Sequence, residues 1–154
     1  ILTRLRDITG ESAQLFRRQG DFRVCSATVE RPSGLWDTVP LGAQLSMTAG
    51  SAAQVLLAWE ELENLPRLLK EATFTVLMLQ QVRCRGWAQS VAEREPGVAS
   101  VSAPVLSPSG KIIAAVSVSG PIERLTRQPG RLHAPAVMAA AERLSEVLRR
   151  NDTE

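Results

Sequence analysis

Ser100, Ser102, Ser117 and Ser119 stand at alternate positions in two strand-like runs, Val98–Leu106 and Lys111–Ser119, on either side of Ser107-Pro108-Ser109-Gly110. That separator has hairpin-loop chemistry, with Pro108 pre-setting φ and Gly110 free to take positive φ. Pairing Leu106 with Lys111 across a four-residue loop places Ser100 opposite Ser117 and Val98 opposite Ser119. Strand side chains alternate faces. Val101, Ala103, Val105, Ile112, Ala114, Val116 and Val118 then share one apolar face, and Ser100, Ser102, Ala115, Ser117 and Ser119 share the other. Serine and alanine are poor strand formers, and a solvated face ordinarily carries longer polar side chains. Small hydroxyls leave volume above the sheet and line it with donors and acceptors. The face is therefore a candidate floor for a small-molecule pocket; the competing readings are a plain solvent face and one filled by a large helix.

The other chemistry-bearing residues carry less. Serine without a base is a weak nucleophile, and no nucleophile-elbow pattern surrounds Ser119 or His133, so an enzyme is disfavoured and no catalytic residue is assigned. Glu93, beside Pro96-Gly97, reads as a structural acid accepting backbone N–H bonds, since no second titratable group is fixed near it. Cys25 and Cys84 fit no zinc spacing with the single His133, which reads as a surface residue in an Arg/Pro/Gly loop. No metal or cofactor is expected. Trp59 and Trp87 read as packing residues, Trp36 as core rather than pocket lining, and Arg124, Arg127 and Arg131 as a loose basic loop.

The elements that must position the serines follow from pattern. Leu2, Leu5 and Ile8 have helical spacing, and Gly10 closes that helix. Ser12–Arg17 and Phe22–Glu30 read as strands, with Cys25 as a small buried thiol. Arg31-Pro32-Ser33-Gly34 reads as a turn, Leu35–Val39 as a further strand, and Leu41–Thr48 as irregular. Ser51 is the expected N-cap of a helix carrying Val55, Leu56, Trp59 and Leu62, whose bare N–H groups would suit an anion. A helix over Phe74–Arg85, capped by Thr73 or Thr75, ends at Gly86. Pro121–His133 reads as loop, and Pro135–Arg150 as an amphipathic helix with Val137, Ala141, Leu144 and Leu148 buried. The order implies an α+β layer on a mainly antiparallel sheet.

Size and charge bound the rest. With 154 residues and 44% hydrophobic content, one domain with a real core is expected. Eighteen Lys and Arg against sixteen Asp and Glu give +2, no electrostatic footprint for nucleic acid or an acidic membrane. No apolar run reaches membrane-spanning length, and free thiols suit a reducing, cytoplasmic compartment. A first residue of Ile rather than Met marks the chain as an expected fragment of something longer.

Gly86, Ser90, Glu93, Ser100, Val101, Ser102 and Val105, in this order and spacing, resemble the signature of the IclR family of bacterial transcriptional regulators. The segments GAQLSMTAGSAAQVLLA, AAVSVSGP and LRDITGESAQL resemble that family's flanking text across nearly the whole C-terminal effector-binding domain. The sequence departs from the family where Ser46-Met47-Thr48 replaces Pro-Leu-His, Ala53-Gln54 replaces Gly-Lys, Ser90 replaces an acid, and Leu106-Ser107 replaces an aromatic-acidic pair. The resemblance implies a GAF-like or profilin-like fold over residues 1–154, with a winged helix-turn-helix upstream that is absent here. It also implies a homodimer or homotetramer that meets DNA only through that missing domain. Small organic acids or aromatic metabolites are the implied effectors, held by Ser51, Ala52, Ser90, Ser100, Ser117 and Ser119, with Leu45 and Val98 as apolar walls. The alternatives are an oligomerisation scaffold whose pocket has degenerated and, less favoured, a small enzyme.

Overall fold

The computed structural model describes residues 1–32 and 39–152. Leu2–Thr9 forms α1, which ends where Gly10 takes φ +75° and donates its N–H to the Arg6 carbonyl. Strands β1 (Ser12–Gln19) and β2 (Phe22–Val29) make an antiparallel pair, and β3 (Gln44–Ser46) adds a short edge to β2 within the segment expected to be irregular. The expected strand over Leu35–Val39, the turn at Ser33-Gly34 and Trp36 lie outside the described residues, save Val39, which is buried. Helices α2 (Ser51–Leu57), α3 (Leu65–Leu68) and α4 (Val76–Arg85) follow, with a 3₁₀ turn over Leu62–Asn64. The Thr75 side chain caps α4, accepting the Met78 N–H at 3.2 Å, and Gly86 closes it with φ +86°. Strands β4 (Ala88–Val91), β5 (Val98–Leu106) and β6 (Ile112–Pro121) lead to α5 (Ile122–Leu125) and α6 (Pro129–Asp152).

The six strands among the described residues join one antiparallel sheet in the order β3-β2-β1-β6-β5-β4. One face carries Ala13, Val101, Ala103, Val105, Ala114, Val116 and Val118 against Leu5 of α1 and Val137, Ala140 and Ala141 of α6. The opposite face carries Phe16, Cys25, Ala88 and Ala115 under Val55, Leu56 and Leu57 of α2 and Leu79 and Val82 of α4. Apolar burial on both sides of one sheet supplies the main driving force, about 25 cal/mol per Å² removed from water. Among the described residues no helix is long and apolar enough to cross a membrane.

Three expectations change. The hairpin register slips by two residues, so Ser100 faces Ser119, Ser102 faces Ser117, and Val98 faces Pro121. Gly110, at φ +83°, donates to the Ser107 carbonyl at 2.9 Å, and Ser107 N–H donates to the Lys111 carbonyl at 2.9 Å. This makes a three-residue loop, followed by a bulge between Val105 and Leu106 that leaves Ile113 as the extra residue. An even slip preserves both faces of the sheet. The exception is beside the bulge, where Ile112 joins the α2 side and Ile113 the α6 side. Second, α2 ends at Leu57, leaving Trp59 and Leu62 beyond it. Third, α6 begins at Pro129, not Pro135; proline is well suited to a first helical position, and Pro135 is accommodated inside the helix.

Candidate effector site

The serine face is neither open to solvent nor hollow: α2 lies over it. Ser51 is the first residue of that helix, with Gly50 at its N-cap, so the expected Ser51 cap is not made. Its hydroxyl instead reaches down to the sheet, 2.6 Å from Ser100 Oγ and 2.7 Å from Ser102 Oγ. Ser100 Oγ is also 2.7 Å from Ser90 Oγ on β4, and Ser102 donates to Ser117 Oγ at 2.9 Å. Five hydroxyls thus form one chain, Ser90–Ser100–Ser51–Ser102–Ser117, spanning three strands and a helix. Ser119 makes a separate pair with the buried Gln14 amide, at 3.0 Å from Nε2 and 3.3 Å from Oε1. Buried hydroxyls cost free energy unless paired, and here each finds its partner among the others.

Beside this chain opens a narrow cleft with a cavity volume of about 20 Å³. Of the eight residues expected to bind a ligand, Ser51, Ala52, Ser90, Val98, Ser100, Ser117 and Ser119 are brought together along its walls. Leu45 is not: it sits on β3, packed against the α2-side core and outside the lining. At about 20 Å³ the cleft has room for little more than one water molecule. Accommodating an effector requires α2 or a wall side chain to move.

Sequence reasoning missed Arg23, Gln14, Phe16 and Arg94, which also line the cleft. Arg23 matters most. It is 3% exposed, and its Nη1 donates to the Ser46 carbonyl and, at 2.9 Å, to the Ala49 carbonyl. Its guanidinium carbon lies 5.4 Å from the Phe16 ring centroid. Burial, with the nearby positive charge of Arg94, pulls the guanidinium down to about 10, and Glu93 opposes that shift. The signal was present in the period of two: Arg23 stands two residues before the buried Cys25 and must share its inward face.

Glu93 is structural, as expected, but its partners lie outside its own turn. It accepts the Gly50 N–H at 3.2 Å, the Thr73 hydroxyl at 2.6 Å and the Gln54 amide at 3.4 Å. The start of α2 therefore already faces a carboxylate, and the helix end is not the anion site anticipated from sequence. His133 is half-buried in α6, its imidazole pushed down by burial against the opposing pull of Glu11. Arg124 belongs to α5 and makes an ion pair with buried Glu11 at 2.9 Å, not a loose basic loop. Among the described residues no three His, Cys, Asp or Glu side chains cluster to hold a metal ion.

Comparison with known proteins places this architecture. The family model described as bacterial transcriptional regulator IclR C-terminal matches residues 1–146. The chain is 31% identical to the HTH-type transcriptional regulator BhcR of Paracoccus denitrificans, over 94% of this chain and 57% of that protein. An IclR-family regulator from Rhodococcus sp. superposes with a TM-score of 0.82 at 28% identity, covering 95% of this chain and 60% of that one. The Thermotoga maritima IclR shares the fold, with a TM-score of 0.85 at 24% identity over 96% of this chain and 65% of that one. The relatives are transcriptional regulators, not enzymes, and this chain spans little more than half the length of BhcR.

Proposed function

We propose, starting from the fact that the chain belongs to the IclR family of bacterial transcriptional regulators and matches its C-terminal domain, that it is the effector-sensing and self-associating part of such a regulator. DNA contact is assigned to a winged helix-turn-helix outside this chain, and the compartment to the cytoplasm. The observation that carries the reading is the cleft between β4–β6 and the start of α2, where Ser51, Ala52, Ser90, Val98, Ser100, Ser117 and Ser119 converge. A small polar molecule wedged there exchanges its own hydrogen bonds for those of the hydroxyl chain and lifts α2 from the sheet. It acts on DNA binding only if it prefers one arrangement of the whole regulator. Homodimers or homotetramers suit a protein that reads paired half-sites.

A second reading has its own support. The hydroxyls already satisfy one another and the cavity is about 20 Å³, which suits an oligomerisation scaffold whose pocket has closed for good. Thermal melts against a library of small organic acids and aromatic metabolites separate the two. A ligand selective for the folded state raises the melting temperature by linkage, by about 2.7 kcal/mol of stability at a hundredfold excess over Kd. The sensor reading expects such compounds; a library without one favours the scaffold.

A further inference from the structure

We propose that Arg23 is the specificity-determining residue of the cleft, selecting an effector that carries a carboxylate and meeting it with the Nε–H that no group among the described residues engages. The inference rests on the sensor reading. Its basis is a charge that the fold leaves unbalanced. Arg23 is almost wholly buried, yet among the described residues its hydrogen-bond acceptors are two neutral carbonyls and no carboxylate lies within ion-pair distance. Its Nε is a buried donor without an acceptor. An unpaired buried cation is costly, and a fold that keeps one gains when an anion arrives. Glu93, whose charge opposes the downward shift of Arg23, is itself occupied by Gly50, Gln54 and Thr73.

The surroundings suit a carboxylate. A carboxylate is planar and pairs with the edge of a guanidinium, and the Nε–H lies on such an edge. The hydroxyls of Ser100, Ser117 and Ser119 and the Gln14 amide line the same space and supply donors to the remaining lone pairs. Arg94 is a second cation on the cleft wall. The Phe16 ring beneath the guanidinium keeps that side dry, which strengthens a charge-assisted bond. Since Nη1 holds the Ser46 and Ala49 carbonyls just ahead of α2, the residue that meets the anion also anchors the approach to the helix.

The test titrates this chain with acetate, propionate and lactate, and in parallel with acetamide, propionamide and lactamide. The reporter is the Arg23 Nε–H resonance in nitrogen-15 spectra, assigned by its loss in Arg23→Lys. Saturable movement with at least one carboxylate and none with the matched amide is expected. In Arg23→Met, affinity for that carboxylate should fall by about tenfold or more, as loss of a charge-assisted hydrogen bond requires. The wild-type titration stands even if Arg23→Met fails to fold. Equal response to acid and amide, or an unmoved Nε–H throughout, overturns the proposal. A neutral library compound that stabilises wild type and Arg23→Met alike removes Arg23 as the selector and leaves the sensor reading intact; a library without any stabilising compound removes both.

Discussion

Replacing Ser51 with alanine cuts the middle of the hydroxyl chain. The side chain is 1% exposed and holds Ser100 at 2.6 Å and Ser102 at 2.7 Å. A neutral intramolecular hydrogen bond contributes about 1 kcal/mol net, so two contribute about 2 kcal/mol. Neither partner is orphaned, because Ser100 keeps Ser90 and Ser102 keeps Ser117, which holds the cost at that level. Alanine is the better helix former by up to about 0.5 kcal/mol, leaving a net loss of about 1.5 kcal/mol. At about 2–4 °C per kcal/mol for a chain of this size, the melting temperature should fall by about 3–6 °C. Urea unfolding should show a lower midpoint with an unchanged slope, since the exposed surface does not change. Ser51→Ala with Ser102→Ala should cost less than the sum of the two, because they share a bond. A Ser51→Ala variant within about 0.5 kcal/mol of wild type refutes the reasoning: the hydroxyls would then not be what holds α2 to the sheet.

Gly50→Ala should destabilise by about 1–3 kcal/mol in urea unfolding, since φ +100° with ψ 155° is a region for glycine alone. Its new Cβ would also lie 2.9 Å from Arg23 Nη2; a neutral result would mean that Arg23 and the start of α2 are free to shift together. His133, whose folded imidazole is held below its ordinary value near 6.5 by burial, contributes stability that is full above that value and lost as pH falls through the folded one. Stability measured against pH should therefore drop on the acid side of neutrality, and His133→Gln should flatten that part of the profile; an unchanged slope would assign it to carboxylates instead.

The alternation of Ser and Val in β5 and β6 was enough to assign both faces of the central hairpin, because period two survives a register slip of two. The register itself was not legible. Ser107-Pro108-Ser109-Gly110 serves equally as a four-residue loop or as a three-residue loop preceded by a paired Ser107, and a bulge at Ile113 leaves no mark in composition. β4 was missed because Ala88–Val91 is only four residues, too short for its alternation to stand out between Gly86 and Pro96-Gly97. The first turns of α6 were hidden because Pro129 and Gly130 read as loop; Gly130 is needed there because Trp87 lies within 2.3 Å of where its Cβ would sit. In the site, the hydroxyls were legible as a set, but their closure under α2 was not: a helix covering a face and a ligand covering it ask for the same small residues. Arg23 was passed over because a strand arginine usually marks a wet face, and only its parity with Cys25 argued otherwise.

Several polar attachments position α2: Arg23, Gly50 and Ser51, which make the ties at its start, line the cleft, and the Gln54 amide also donates to the Gln89 carbonyl of β4 at 3.3 Å. Arg23 Nη1 holds the carbonyls of Ser46 and Ala49 ahead of the helix, Glu93 holds the Gly50 N–H and the Gln54 amide, and Ser51 holds the sheet. The rest of α2 is fixed by Val55, Leu56 and Leu57, buried among the residues of α4 and the sheet, and that packing does not depend on the cleft. A molecule entering between Arg23 and the serines therefore acts on the N-terminal turn of the helix while its C-terminal turn stays seated. The disturbance has a definite route onward. Glu93 accepts the Thr73 hydroxyl at 2.6 Å, and Thr73 N–H donates to the Thr48 carbonyl at 2.8 Å, which joins the segment before α2 to the segment before α4. Each of these bonds is worth about 1 kcal/mol, rising to about 3 kcal/mol where a charge takes part. That is the scale of a typical coupling free energy between two sites. Exchanging one or two of these ties for contacts with a ligand is enough to shift a two-state equilibrium by tenfold or more, without disturbing the α6 side of the sheet.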